Sequence, residues 1–558
     1  MNAINSKHNK IKTSEFALAG LLHDVGKLLH RAKIDLLSKE TMQEKLCPPN
    51  HSHKHVLWTY DLLKHLQDEY KLPRGIDWSR VCNLASYHHN PGNDPEYQII
   101  ATADRLASAH ERIKADEEYH NFRQVFLENI LNKVDIHKTI SGLSNEGYQS
   151  QQQTSQMNRT KIGWYPQLLS VNEKLMPVEI NTLTEDECVQ NYWKPLAEGL
   201  KESLCRIANI PVNLIVAVVQ SICAQYLSFM PESAMDKPDV SLFDHSKLTA
   251  AFAAAIANYY YKGGGSFTVE SVKDSKEKKF RLVVGNIGGI QDFIFTQAAG
   301  VTGGFAKRYR AKSFYISAIT EAAALYLLES AGLPLTNCII DAGGRFTLLV
   351  DASQATLDAL RKAEAEIQKQ LVEKNLGLLK LYLNYDLTAC GEDFEKTEEA
   401  KKGNFSKLYK HLENQSIIAK LRPLEKYLKE QSKWNETIYK MEFCDNYDKR
   451  LSEIDNNMKR IGQRLPQAAY YALTKPDNGI DDNLSSDNCI DCLGLKLCLW
   501  NEKELEKAIS NEKVHNSVFT LWRILPHPDD HGNYETDTSS WIPKRVNANY
   551  VPGVNEKD

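Results

Sequence analysis

Residues 14–32 read SEFALAGLLHDVGKLLHRA, an apolar segment with a histidine and an aspartate side by side at its centre, His23 and Asp24. Leu18, Leu21, Leu22, Val25, Leu28 and Leu29 recur at helical spacing and Ser14 suits an N-cap, so the segment predicts one continuous helix. Charged groups in an apolar helix are costly unless they are paired or bound to a metal. The fold must therefore bring partners to this spot. Neighbouring helix residues point about 100° apart, so both side chains can grip one cluster over that face. Lys27 lies one turn beyond His23, placed to hold a phosphate.

Three further pieces follow in order. A helix is predicted from about His55 to Glu69, with His55 inside HSHKHVLWTYDLL. Another runs across IDWSRVCNLASYHH and carries His88 and His89, and a fourth, EYQIIATADRLASAHERI, carries Asp104. The order His-Asp, His, His, Asp on successive helices is that of the HD superfamily. His23, Asp24, His55, His88 and Asp104 are the expected metal ligands, with His89 facing phosphate or backing the ligands. His51 and His53 read as surface histidines beside a turn, and His55 is preferred to His53 as the ligand because it begins the helix. Imidazoles mixed with carboxylates suit Mn, Fe, Co, Ni or Zn better than an all-oxygen Mg site, and Mn, Ni or Co are expected here. Two such ions bridged by Asp24 would suit phosphodiester cleavage.

At 558 residues the chain is too long for one core, and two to four domains are expected. An apolar content of 42% and a charged content of 25% are ordinary for a soluble globular protein. A net charge of −4 gives no global pull toward nucleic acid or anionic membrane, so such contacts must be local. No apolar run approaches the roughly 18 residues of a membrane span, and no signal core opens the chain, which predicts a cytoplasmic protein without a membrane partner. Eleven scattered cysteines fit a reduced compartment. Cys489, Cys492 and Cys498 in CIDCLGLKLC offer three of the four ligands a structural zinc takes, and LGLKLCLW reads as a strand, so no zinc is expected.

The pattern predicts an α+β chain in four regions. Residues 1–135 read as an all-helical metal-binding domain. Residues 136–275 read as a helical linker region, opened by the polar stretch SGLSNEGYQSQQQTSQMNRT and closed by KGGGS. Residues 276–400 run β-α-β-β-α-β, the ferredoxin-like or palm order, with a Gly343-Gly344 hairpin turn. Residues 401–558 are helical and charged, then strand-bearing. The palm hairpin offers Arg345 and Phe346 where palm-type cyclases and polymerases hold two acids, so it cannot hold Mg in their way. Glu392 and Asp393 in CGEDF follow the last strand rather than a hairpin turn and are rejected as substitutes.

Together LLHDVGKLLHRA, HKHVLWTYDLL, YHHNP, ADRLASAHER, VVGNIGGIQDFIF, KRYRAKSFYISAITEAAALYLLE, LPLTNCIIDAGGRFTLLV and IGQRLPQAAYYALT make a pattern. In these stretches the chain resembles the large subunit of type III-A (Csm-type) CRISPR effector complexes, the Cas-ten family. The resemblance implies an HD nuclease that cuts single-stranded DNA, working with other subunits of a type III complex, CRISPR RNA and target RNA. It also implies two palms, the second carrying a Gly-Gly-Asp-Asp motif that makes cyclic oligoadenylate from ATP. That motif is absent from the sequence, which ends near where the second palm would begin. A separate chain carrying that palm is expected as a partner, or else the chain is a truncated product. The family's zinc cysteines are represented here only by Cys444. On this reading the first palm is a scaffold with an ATP-facing surface at Asn286, Gly343, Gly344 and Arg345. Two other functions are weighed: an HD phosphohydrolase of small nucleotides, and a non-catalytic scaffold half-subunit.

Overall fold

The computed structural model describes residues 2–37, 40–48, 52–111, 121–133, 162–169, 176–300, 303–395, 403–429, 436, 446–475, 488–511, 514, 517–524 and 544–545. The polar stretch at 141–160, His51 and Cys444 lie outside the described residues. The N-terminal helices are α1 (Asn2–Leu22), α2 (Gly26–Arg31), α3 (Glu40–Leu46), α4 (His55–Glu69), α5 (Trp78–Ser86) and α6 (Pro95–Glu111).

The continuous helix expected over 14–32 is instead broken, with His23, Asp24 and Val25 in the turn between α1 and α2. Thr59 of α4 causes the break. Its buried hydroxyl donates to the His23 carbonyl at 2.9 Å and accepts from the Gly26 amide at 3.1 Å. A side chain inserted into the backbone ladder kinks a helix in this way. Only glycine fits at 26, because a β-carbon there would stand 2.0 Å from the His55 carbonyl oxygen. The expectation for α5 also needs correction. That helix ends at Ser86, so His88 and His89 lie just beyond it, in the turn before Pro91.

The first 135 residues are not all-helical. β1 (Leu127–Glu128) pairs with β2 (Ile162–Trp164), which pairs with β3 (Val178–Glu179), in a small antiparallel sheet. The region up to 275, read as a helical linker, packs on the N-terminal helices. It supplies α7 (Lys194–Cys205), α8 (Ile215–Leu227) and α9 (Leu242–Tyr261), and α9 packs along α1 and α6. The Ala250–Ala257 stretch of α9 is buried and mostly alanine, which lets the helices approach closely. Phe16, Leu18, Leu21 and Leu22 of α1 are at most 1% exposed. Each contributes roughly 1.5–3 kcal/mol by burial.

β4 (Phe280–Gly288), α10 (Ile290–Phe295), α11 (Phe305–Ala331), β5 (Cys338–Ala342), β6 (Arg345–Asp351), α12 (Gln354–Asn375), β7 (Lys380–Asn384) and β8 (Thr388–Ala389) form the next unit. Its sheet order β5-β6-β4-β7, antiparallel throughout, is the ferredoxin-like arrangement the sequence predicts, with β8 added beside β4. Gly343 and Gly344 turn the hairpin at φ values of 48° and 112°, conformations that side chains rarely adopt. Phe252 of α9 meets Phe280 of β4 at 5.2 Å between ring centroids, so one apolar core continues from the helices into the palm.

α13 (Gly403–Lys420) packs on the palm sheet, and α14 (Tyr447–Arg464) on α11. A third sheet follows, from β9 (Tyr470–Thr474), β10 (Cys489–Cys492), β11 (Leu495–Trp500), β12 (Val518–Ile524) and β13 (Lys544–Arg545), with α15 (Glu502–Ser510) before β12. Its order is β10-β11-β9-β12-β13. Cys489 and Cys498 face each other across β10 and β11 and are joined as a disulfide, a bond that the expectation of a reduced compartment did not include. Cys492, three residues on, points to the opposite face and into a different core. The three sulfurs therefore do not converge on one point. No helix among the described residues is long and apolar enough to cross a membrane.

Candidate metal centre

The break between α1 and α2 turns His23 and Asp24 inward, where α4, α5, α6 and α9 each contribute from their ends or faces. Asp24 is the centre of the arrangement. Its Oδ1 lies 2.8 Å from His55 Nε2 and 3.7 Å from His88 Nε2. Its Oδ2 lies 3.3 Å from His23 Nε2 and 3.7 Å from His245 Nε2. Asp104 of α6 closes the second side, 3.2 Å from His245 Nε2 and 3.9 Å from His23 Nε2. One carboxylate thus faces two groups of imidazoles, one from each oxygen. His89 joins the first group, its ring 4.0 Å from that of His88 and 5.1 Å from that of His55. His53 is exposed and meets the cluster at its edge, its ring 4.1 Å from that of His89 and 6.2 Å from that of His55.

Backbone contacts aim the rings. His23 Nδ1 donates to the Gly20 carbonyl at 2.8 Å and His88 Nδ1 to the Ala85 carbonyl at 2.6 Å. A carbonyl only accepts, so each Nδ1 carries hydrogen and each Nε2 is turned to the centre, the orientation that outer hydrogen bonds give metal-ligating histidines.

His245 was not found by sequence reasoning. It lies in the first turn of α9, in the region read as a linker, and its side chain is fully buried. Ser241 caps that turn, accepting from the Asp244 amide at 3.0 Å. The only signal was a histidine opening an alanine-rich apolar helix, and nothing local ties it to His23.

Lys27 does not stand ready for a phosphate. Its ammonium lies 2.7 Å from Asp24 Oδ2 and 3.2 Å from Glu232 Oε1, and donates to the Glu232 carbonyl at 3.1 Å. Glu232, also absent from the sequence reading, is the second carboxylate, after Asp24, that pairs this cation.

The electrostatics follow from this packing. Burial alone would lower the His23 pKa, but Asp24 and Asp104 outweigh it and raise the imidazolium to about 9. Burial would raise Asp24, yet His23, Lys27 and His55 hold it well below the usual carboxylate range. Asp104 is held down likewise by His23 and His245. His88 goes the other way, lowered to about 3 by burial and by the neighbouring His23 charge, so its Nε2 keeps a lone pair. His89 is lowered by burial and by His88.

A divalent ion fits these residues. His55 Nε2, His88 Nε2 and Asp24 Oδ1 are buried polar atoms without a hydrogen bond of good geometry, a costly arrangement unless a cation takes their lone pairs. The nitrogen-rich donor set matches the borderline metals.

The residues expected at an ATP-facing surface lie apart from this centre. Asn286 and Arg345 are register partners across β4 and β6 beside the Gly343-Gly344 turn. Arg345 is engaged by α13, 3.0 Å from the Tyr409 hydroxyl and 3.4 Å from Glu413.

Comparisons with known proteins agree with this architecture. Residues 3–109 match the HD domain model, and residues 279–437 match the model of Csm1 subunit domain B. The chain is 26% identical over 450 residues to a protein of Methanocaldococcus jannaschii named CRISPR system single-strand-specific deoxyribonuclease Cas10/Csm1 (subtype III-A), covering 73% of this chain and 50% of that one. The relative of the same name in Mycobacterium tuberculosis is 27% identical over 379 residues, covering 64% of this chain and 43% of that one. The chain thus spans about half the length of the curated relatives it matches. Among solved structures, a Csm1–Csm4 cassette in complex with AMPPNP superposes with a TM-score of 0.58 at 18% identity, covering 88% of this chain and 56% of that one. The cassette in complex with cA4 gives 0.57 at 18% identity, with 88% and 55% covered. At that identity the likeness is one of fold.

Proposed function

We propose, on the premise that this chain is a homologue of the Cas10/Csm1 large subunits of type III-A CRISPR systems, that its helical N-terminal part is a metal-dependent nuclease acting on single-stranded DNA. The observation that carries the reading is the two-sided carboxylate of Asp24, with an oxygen toward each imidazole group. His23, His55, His88, His245, Asp24 and Asp104 would hold the metal, with His89 beside the first group. When bound, a divalent ion supplies Lewis acidity and lowers the pKa of a water for phosphodiester hydrolysis. The chain's own contribution is to fix the donors: Thr59 sets the turn, Gly20 and Ala85 set two rings, and Asp104 orients His245. Mn, Co or Ni is the proposed metal.

The proposed partners are the other subunits of a type III complex, with CRISPR RNA and target RNA, and single-stranded DNA as the substrate. The palm is proposed to act as a scaffold, with ATP meeting it at Asn286, Gly343, Gly344 and Arg345. The test compares the purified chain with its His23→Ala/Asp24→Ala variant on single-stranded DNA and on small nucleotides, under Mn, Co, Ni and Mg in turn. The expected result is cleavage of DNA under the first three ions and none by the variant. Undiminished cleavage by the variant would sink the assignment. Preferential hydrolysis of nucleotides would instead favour a small-molecule phosphohydrolase.

A further inference from the structure

Asp24 Oδ2 is claimed twice. It faces His23 and His245, the donors of the second group, and it also holds the Lys27 ammonium at 2.7 Å. A cation is therefore already seated against the oxygen that a metal in that group would need. The first group, on Oδ1, has no such competitor among the described residues.

Lys27 also has somewhere else to go. Two of its three contacts are to Glu232, at 3.2 Å to the carboxylate and 3.1 Å to the carbonyl. Its stem is flexible and its side chain 19% exposed, so the ammonium can pivot off Asp24 without leaving Glu232. The Glu232 side chain is 3% exposed, and a buried carboxylate needs a partner. Glu232 is also fixed to the α9 start. Its amide donates to the Val240 carbonyl at 3.0 Å, and the Leu242 amide to the Met230 carbonyl at 2.7 Å, around a bridge between Pro231 and Ser241. Ser241 caps the turn that carries His245. The alternative seat for Lys27 and a ligand of the second group therefore belong to one rigid piece of chain.

We infer that Lys27 is an internal counter-cation of the second half-site, and that Glu232 is the seat to which it withdraws when a second divalent ion binds. The two half-sites are thereby made unequal: the Asp24 Oδ1 side fills first, and the Oδ2 side fills only as Lys27 yields. This rests on the reading of the cluster as a metal centre.

The experiment is titration of the purified chain with Mn alone, followed by calorimetry and by metal analysis after gel filtration. Wild type is expected to take one equivalent tightly and a second more weakly. Lys27→Met should tighten the second by roughly tenfold or more and the first by much less, because a like charge has left the Oδ2 side of the shared carboxylate. Glu232→Gln should weaken the second by roughly tenfold, since Lys27 then keeps to Asp24. In the Lys27→Met/Glu232→Gln double variant, whose buried pair is neutral, the Gln change should add nothing. The inference is overturned if Lys27→Met leaves the second affinity as it was, or if Glu232→Gln weakens it equally without Lys27. A folded wild-type protein that takes up no Mn at all would instead remove the metal-centre reading underneath.

Discussion

Gly20 of α1 and Ala250 of α9 lie so close that a β-carbon on Gly20 would fall 2.5 Å from the Ala250 α-carbon. His23 stands three residues beyond Gly20 and His245 five residues before Ala250, so this crossing brings the two rings to 5.3 Å between centroids. The helix contact and the half-site are one construction.

Gly20→Ala is accordingly expected to force the helices apart. Overpacking of a tight core typically costs about 1–3 kcal/mol. Thermal melting should show that loss, and metal affinity should fall with it because His23 and His245 separate. An unchanged melting temperature would mean that the crossing relaxes freely.

His245→Ala tests whether the ligand set extends beyond the N-terminal helices. Removing one imidazole while leaving Asp104 and His23 should cut metal retention and DNA cleavage by at least roughly the 10–100-fold that losing an outer-shell partner of a ligand costs. Circular dichroism should be unchanged, since the substitution removes a polar group. Full activity in this variant would confine the centre to His23, Asp24, His55, His88 and Asp104.

These two residues also show what could be read from the sequence. His23-Asp24, His88 and Asp104 were legible because charge in an apolar segment is expensive and the four follow one another in order on or beside successive helices. The palm was legible because β and α runs alternate around a Gly-Gly turn, and the sheet has the expected order. His245 was not legible, because it reaches the site from far along the chain through packing of α9 on α1, which no local pattern encodes. The helix break at His23 was hidden for the same reason, since its cause is the hydroxyl of Thr59 on another helix. Lys27 was assigned a phosphate because Glu232, its buried partner, carries no motif.

Metal uptake should release a proton. In the metal-free protein His23 is raised from 6.5 to about 9, because Asp24 and Asp104 outweigh the burial that opposes its charge. A raised pKa means that the His23 proton stabilises the metal-free fold fully below about 6.5, and that this contribution is lost as pH climbs through about 9. A metal can take Nε2 only once that proton has left. Affinity should therefore strengthen from pH 6.5 to 9, while the stability contribution of His23 in the metal-free protein declines over the same window. Calorimetry in two buffers of different ionisation enthalpy counts the protons released. Uptake that ignores pH across this range would take His23 out of the ligand set.

The palm of this chain is expected to make no cyclic oligoadenylate from ATP. Phosphoryl transfer needs metal ions held beside the phosphates, where they neutralise developing charge. The hairpin places Arg345 and Phe346 after its glycines. Arg345 is cationic and paired with Glu413, so it would repel such ions. Phe346 is fully buried against Gly285, where a β-carbon would lie 2.0 Å from the Phe346 ring, so this position belongs to the core. Arg345→Asp should therefore gain nothing, and Phe346→Asp should unfold the palm by burying an unpaired charge. Nor are Glu392 and Asp393 available as substitutes in this fold. Glu392 meets the Ser275 hydroxyl at 3.3 Å, and Asp393 accepts from the Cys390 amide at 2.9 Å to cap its own turn. The purified chain incubated with ATP and Mg or Mn, with guide and target RNA supplied, should give no oligoadenylate by chromatography. Synthesis that vanishes in Glu392→Gln/Asp393→Asn would show that the turn opens to carry the metals after all, and that the palm has been misread.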